Sequence, residues 1–462
     1  MGSVETLTEE TITRLTEAFG AKLLLDPAQT ERYSHDRSHH DWTAADVVVR
    51  CTSTEDVSRA MLICSESSTP VVPFGTGTGL EGGANSVRSG VCIDVSGMQR
   101  IIRFDPDSLD VTVEAGVKRS QLNPVLAPHG LHFPVGPGVD ASIGGMAATG
   151  ASGTNAVFYG TMRGSVLGLT VVLADGSVIH TGGRARKSSA GYDLTHLFIG
   201  SEGTLGIITE VTLKVYGIPP AAAMALCVFN DLVTAAKAVQ RALTAGLPLA
   251  RVELLDEVTV DSINSYSGLS LTPSPTLIVE FIGGKSAVSE QLGQMREIAN
   301  QLGAEAFTMV DGGDNRERIW QARHSALPAA QAMLPGSRTW STDVCVPISR
   351  LADCIGQTQA DLRELAILAP IVGHVGDGNF HLAFVLNPDA PDDVARARVV
   401  DRRLIDRALA MGGTCTGEHG VGLGKVNDLL LEHPSGVPVM RVIKGALDPK
   451  NLLNPGKVLA QR

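Results

Sequence analysis

Two histidines, His374 and His381, bracket Gly376, Asp377, Gly378 and Asn379 in the segment HVGDGNFH. On a helix this spacing would put both on one face, but the residues between them argue for a turn. With Asp377 and Gly378 at the centre of a two-residue hairpin, His374 sits directly opposite His381. Their Cβ atoms are then about 5 Å apart, close enough to grip one metal ion. The apolar residues of IVGHV and FHLAF supply the flanking strands and a partly dry shell. A lone histidine in an apolar strand is ordinarily a satisfied core residue, so the weight rests on the pair and on a third ligand. TGEHGVGLGK offers Glu418 beside His419, and three protein ligands leave the open position of a catalytic site. Such N/O donors suit Zn²⁺ and Mn²⁺ alike. Arg323, in WQARHSALP, presents a guanidinium fork to a carboxylate, unless it is a solvated helix arginine. Asn379 is a second candidate for touching substrate, although a turn position with positive φ explains an asparagine equally well.

These residues need a scaffold, and glycine marks it. Of the 50 glycines, 25 fall between Gly75 and Gly206. Short β-branched runs such as DVVVR, PVVPF, VCIDV and VTVEAG alternate there with turn signals, which predicts mixed α and β structure with two sheets. PFGTGTGLEGG contains a literal GxGxxG, Gly77 to Gly82, and Asp94 ends the next strand where a Rossmann fold keeps its ribose-binding acid. A Rossmann unit needs a helix between those strands, and GGANSVRSG is too short and too glycine-rich to be one. Pro219 and Pro220 set a domain boundary near residue 218. Beyond it the pattern reads βαββαβ: MALCVF, helix 231–246, RVELLD, then TLIVEFIG, a second helix and FTMV. A ferredoxin-like sheet with helices on one face is the natural packing.

The glycine loop, GPGVDASIGGMAATGASGTNAVFYGTMRGSV and GSEGTLGIITEVTLKV resemble the FAD-binding domain of the vanillyl-alcohol-oxidase type. From about residue 30 onward the chain is similar to the FAD-linked D-lactate dehydrogenases of the cytochrome type and to the glycolate oxidase D subunit. The resemblance implies an α+β fold with a two-subdomain FAD-binding domain, residues 1–218 with a C-terminal return over 418–462. A ferredoxin-like substrate (cap) domain, 219–417, would carry the metal. It implies that Pro73, Gly75, Thr76, Gly77, Thr78, Gly79 and Leu80 hold the pyrophosphate. Pro137, Gly138, Ser142, Ile143, Gly144, Gly145, Gly153, Thr154 and Gly160 would line the flavin. Glu202, Gly206, Ile207 and Ile208 would lie near the adenine and ribose, and LDPKNLLNPGKVL would return Asn454 to the ring. With no histidine in the phosphate loop, the FAD is expected to be noncovalent.

By the same resemblance the metal ligands are His374, His381 and Glu418, His419 is the base, and Arg323, Asn379 and His419 contact substrate. D-lactate or a similar D-2-hydroxy acid would lose its hydroxyl proton to His419 and its Cα hydride to flavin N5, giving the 2-oxo acid. Electrons would pass to a cytochrome, quinone or iron–sulfur partner rather than NAD. The alternatives within the family are a glycolate oxidase catalytic subunit and a D-2-hydroxyglutarate dehydrogenase. The latter carries a lysine where this chain has Ser341, so a second substrate carboxylate lacks one expected cation.

Composition sets the limits. The chain has 462 residues, 44% of them hydrophobic, and a net charge of −11. With an isoelectric point near 5.6 and no dense basic run, nothing points to nucleic acid. Seven scattered cysteines without a CxxC suit a reducing compartment and are expected to be small core hydrophobes. MGSVETLTEETITRL fits a capping box at Thr6 and Glu9 opening a helix with Ile12, Leu15 and Phe19 on one face, rather than a secretory signal. No apolar run reaches the length of a membrane span. A cytoplasmic protein is expected, with peripheral contact at the inner face of a membrane and a homodimer both admitted.

Overall fold

The computed structural model describes residues 7–460. They form two compact units. The first comprises the chain up to Ser152, Gly160–Ile218, and the segment from Glu418 onward; the second comprises Gly153–Tyr159 and Pro219–Gly417. Residues 153–159 therefore depart from the sequence expectation, which kept them with the FAD-binding domain. Their helix Ala156–Tyr159 packs on strand Arg251–Leu255, where Arg251 Nε donates to Asn155 Oδ1 at 2.6 Å.

In the first unit, a four-stranded sheet runs in the order Leu23–Leu24, Val47–Arg50, Val91–Asp94, Val71–Phe74. Val47–Arg50 and Val71–Phe74 both lie parallel to Val91–Asp94. No helix intervenes between Phe74 and Val91, so the GxGxxG is a loop and not a Rossmann turn. Helix Thr54–Glu66, capped by Ser53, buries Val57, Ala60, Met61 and Cys64 in the core that includes Val47, Val49 and Ile93. The second sheet is antiparallel, in the order Ile101–Asp105, Asp110–Glu114, Ile207–Lys214, Val166–Val172, Val178–Gly182. Helix Glu9–Phe19 buries Leu15 and Phe19, but its cap is Thr8, whose hydroxyl accepts from Thr11 N at 3.2 Å. Thr6 lies outside the described residues.

The second unit contains the βαββαβ order as strands Ala221–Val228, Arg251–Leu255, Thr276–Gly283 and Ala306–Val310, with helices Leu232–Thr244 and Lys285–Gln301. Numbered along the chain, these strands lie side by side as 4-1-3-2, and every adjacent pair is antiparallel. Both helices share one face, burying Ala235, Val239, Leu292 and Met295 against Ala225, Val279 and Phe281. The expectation stopped there, and the chain goes further. Helix Glu257–Ser267, capped by Asp256, and helix Gly313–His324 cover the opposite face over Met224, Leu226 and Ile278. Strands Ile371–Gly373, Asn379–Leu386 and Arg338–Ser341 extend the sheet beyond Arg251–Leu255. With both faces covered, a polar side chain in these strands is buried and must find its partner within the fold. Among the described residues, no helix is long and apolar enough to cross a membrane.

Candidate functional site

Segment 371–386 forms the expected hairpin with a different turn. Val372 pairs with His381 and Ile371 with Leu382, which brings His374 opposite Asn379. The loop is four residues, Val375 to Gly378, closed by Asp377 N and Asn379 N donating to His374 O at 3.0 and 3.4 Å. A type I′ turn needs positive φ at both central residues. Only Gly378, at φ +82°, has it. His374 is thus diagonal to His381 rather than opposite. The two still share one face, because the register differs from the expected one by two residues and side chains alternate with period two. Their rings meet edge to face at 5.6 Å, with nitrogens within 4.8 Å of one another.

The same face carries what holds them. The pairing of Leu254 with Gly373 continues to set Glu253 opposite His374. Glu253 Oε1 lies 2.6 Å from His374 Nδ1, and Glu253 Oε2 accepts from Arg323 Nε at 2.7 Å and Nη2 at 2.6 Å. Burial pushes the Glu253 carboxyl up, but Arg323 and His374 outweigh it and hold the group below its ordinary value. His381 Nδ1 lies 3.0 Å from Thr342 O. With Nδ1 of each ring donating, the nitrogen that can ligate a metal is Nε2. Arg323 is not a solvated helix arginine: it is 8% exposed, and its side-on edge is held by Glu253. Asn379 begins a strand with ordinary φ and is buried, its Nδ2 donating to Asp343 Oδ1 and Val344 O, both at 2.8 Å. Asp343 Oδ2 also accepts from Thr416 Oγ1 at 2.9 Å. Gly417 closes the cluster, since a Cβ there would lie 2.4 Å from Asn379 Nδ2. One peptide bond later the chain passes to Glu418 and the first unit.

Sequence reasoning missed Glu253, Asp343 and Thr342. A signal was present for Glu253, the one charged residue between apolar neighbours in the strand VELL.

In the first unit, residues 75–80 leave strand Val71–Phe74 and meet the start of helix Ile143–Thr149. A Cβ at Gly75 would lie 2.7 Å from Ser142 Oγ, and one at Gly145 3.0 Å from the same atom. Ser142 N donates to Thr76 Oγ1 at 3.4 Å, and Thr76 and Thr78 hydroxyls are 3.2 Å apart. The Ser142 and Ser201 hydroxyls are buried without a protein partner. A stripped-down loop, clustered hydroxyls and orphaned donors fit a diphosphate. Other positions read differently. Gly206 and Gly144 serve close packing, against Val171 Cγ1 and Ala115 Cβ, each 2.5 Å from a built Cβ. Ile207 and Ile208 bury their side chains in two different hydrophobic cores, so cofactor contact there would come from backbone. Gly153 and Thr154 group with the second unit.

Segment 448–458 does return to this unit. Asn454 N donates to Val71 O at 2.7 Å, and its Nδ2 donates to Glu202 O at 2.7 Å and Gly83 O at 2.9 Å. Lys457 Nζ donates to Asn454 Oδ1 and to Gly83 O at 3.0 Å. Asn454 is therefore a clip between the glycine-rich loop at Gly83 and the loop at Glu202. Glu202 itself, at φ +51°, accepts from Val421 N at 2.7 Å and Gly422 N at 2.9 Å, holding the backbone just after His419. Burial raises the Glu202 carboxyl to about 7 and lowers the Lys457 amine to about 7. For Lys457 the folded state sheds its proton before the unfolded state does. Its penalty is full below pH 7 and fades as pH rises toward the free-lysine value, by at most about 1.4 kcal/mol per pH unit. Lys457→Met should therefore lose part of the stability gain between pH 7 and 9, read as the wild-type minus variant difference in Tm.

Comparison with known proteins agrees with this architecture. Residues 45–182 match the family described as "FAD binding domain", and residues 218–458 match "FAD linked oxidases, C-terminal domain". A Danio rerio protein named "Probable D-lactate dehydrogenase, mitochondrial" is 50% identical over 437 residues, covering 94% of this chain and 88% of that one. The Arabidopsis thaliana "D-lactate dehydrogenase [cytochrome], mitochondrial" is 41% identical, covering 99% and 81%. A solved 4-ethylphenol oxidase from Gulosibacter chungangensis superposes with a TM-score of 0.81 over 99% of both chains at 18% identity, which shows a shared fold. The chain thus belongs to the FAD-linked oxidases, among relatives that include the D-lactate dehydrogenases of the cytochrome type, and is an FAD-binding oxidoreductase.

Proposed function

We propose that this protein oxidises D-lactate, or a D-2-hydroxy acid of similar size, to the 2-oxo acid, with a divalent metal held by His374, His381 and Glu418. The observation that carries the reading is the buried histidine pair, each ring fixed through Nδ1, in a chain whose other unit is an FAD-binding domain. Glu418 follows Gly417 directly and supplies the carboxylate of a three-ligand, open site. The chemistry these groups would supply when bound is Lewis-acid polarisation of the substrate hydroxyl by the metal and acceptance of the Cα hydride by FAD. His419 takes the hydroxyl proton at its imidazole. Glu253 occupies the side-on edge of Arg323, and the end-on edge is the one that binds the substrate carboxylate. Asn379 is assigned to the scaffold, because both N–H groups of its amide are committed to Asp343 and Val344.

Electrons leave to a cytochrome, the acceptor named for the Arabidopsis relative. Ser341, partly buried beside this cluster, offers no cation for a second carboxylate, which favours lactate over a 2-hydroxydicarboxylate. Anaerobic reduction of the bound flavin across D-lactate, L-lactate, glycolate and D-2-hydroxyglutarate, with metal analysis of the same sample, tests the proposal. Rapid bleaching by D-lactate and about one equivalent of metal are expected. Faster bleaching by glycolate would move the assignment to glycolate oxidation.

A further inference from the structure

One histidine of the pair, His374, and Arg323 meet at a single side chain. Glu253 is wholly buried in the strand beside the hairpin. One of its oxygens faces His374 Nδ1 at 2.6 Å, and the other takes Nε and Nη2 of Arg323 at 2.7 and 2.6 Å. A carboxylate in such a place is expensive to bury unless both oxygens are engaged. Here they are engaged by two groups with different tasks.

We infer that Glu253 is a positioning residue for both halves of the substrate site: it fixes His374 as the Nδ1–H tautomer with Nε2 directed to the metal, and it grips Arg323 side-on so that the end-on edge meets the substrate carboxylate. This deepens the proposed function and rests on its metal site. An imidazole hydrogen-bonded to a carboxylate is a more basic ligand and is already oriented, so metal binding orders less. The planar guanidinium cannot turn without breaking two bonds to the same oxygen. Hydroxyl and carboxylate recognition are thus referred to one rigid point on the sheet.

Gln at position 253 cannot serve both partners. If its carbonyl accepts from His374, its NH2 meets the Arg323 donors; if the amide is flipped, its NH2 meets Nδ1–H. The test uses the full-length FAD-loaded protein, stripped of metal and titrated with Zn²⁺ against a chromophoric chelator. E253Q is expected to weaken zinc binding roughly 10- to 100-fold with FAD still bound. The double variant E253Q/R323M removes the donor clash and the unpaired arginine charge. It should recover most of the zinc affinity while the KM for D-lactate stays raised. That recovery separates positioning from loss of fold, which would not reverse on a second substitution. Wild-type zinc affinity in E253Q, or no recovery in the double variant, would overturn the role of Glu253. His374→Ala is the control: if it too leaves zinc affinity unchanged, the metal reading falls and this inference with it.

Discussion

His419→Gln is expected to slow anaerobic flavin reduction by D-lactate by about 10²- to 10⁴-fold, with the FAD spectrum intact. The loop carrying His419 is anchored independently of its imidazole, by Glu202 on the backbone of Val421 and Gly422 and by Glu81 O accepting from Leu423 N at 2.7 Å. The variant should therefore fold and keep its cofactor. Because only a neutral imidazole accepts a proton, the wild-type rate should fall in acid, and the variant should lose that limb. An unchanged rate in His419→Gln would assign the base elsewhere.

The second large effect is structural in origin and catalytic in consequence. Gly378 has φ +82°, and a Cβ there would sit 2.1 Å from Val346 O. Left-handed backbone alone costs an alanine about 1–2 kcal/mol. The clash is with backbone, so the loop must move as well. Gly378→Ala should lose more than roughly 3 kcal/mol, a strained turn plus displaced pairing, and should weaken zinc binding at the site proposed above. Gly303, at φ +78° with open space around it, supplies the comparison. Gly303→Ala should cost only the backbone conformation, so the difference between the two melting temperatures reports the clash.

The contrast at Gly378 also shows what could be read from the sequence. That His374 and His381 share a face was legible, because the period of a strand fixes faces without fixing the turn. The turn type was not, since Asp-Gly serves a two-residue turn and the end of a four-residue loop alike, and the choice is made where Val346 N meets Gly378 O at 3.0 Å. The βαββαβ order followed from hydrophobic periodicity. Helix Glu257–Ser267 escaped because Asp256 was read as the end of a strand when it is the cap of that helix. Arg323 was legible as a carboxylate partner, but nothing near it in the chain says that its first carboxylate is Glu253, 70 positions earlier. At Asn379 the residue type suits a substrate contact, and what could not be read is that its amide nitrogen donates to Asp343 and Val344 inside the fold. The glycine loop was legible as a close-approach loop rich in hydroxyls, because glycine and hydroxyl density survive without knowledge of packing. Gly206 and Gly144 show the limit, where the same residue type answers a packing demand.

The clip at Asn454 has a consequence for how the chain is made. Val71 N donates to Leu452 O at 2.8 Å, and Asn454 N donates to Val71 O, so strand Val71–Phe74 is completed by residues translated some 380 positions later. All of 219–417 leaves the ribosome before that segment does. The second unit has its whole sheet available by then, whereas the first has an open edge at Val71–Phe74 beside its glycine-rich loop. The edge of the first unit at Val71 is thus completed only after the sheet of the second unit has been translated.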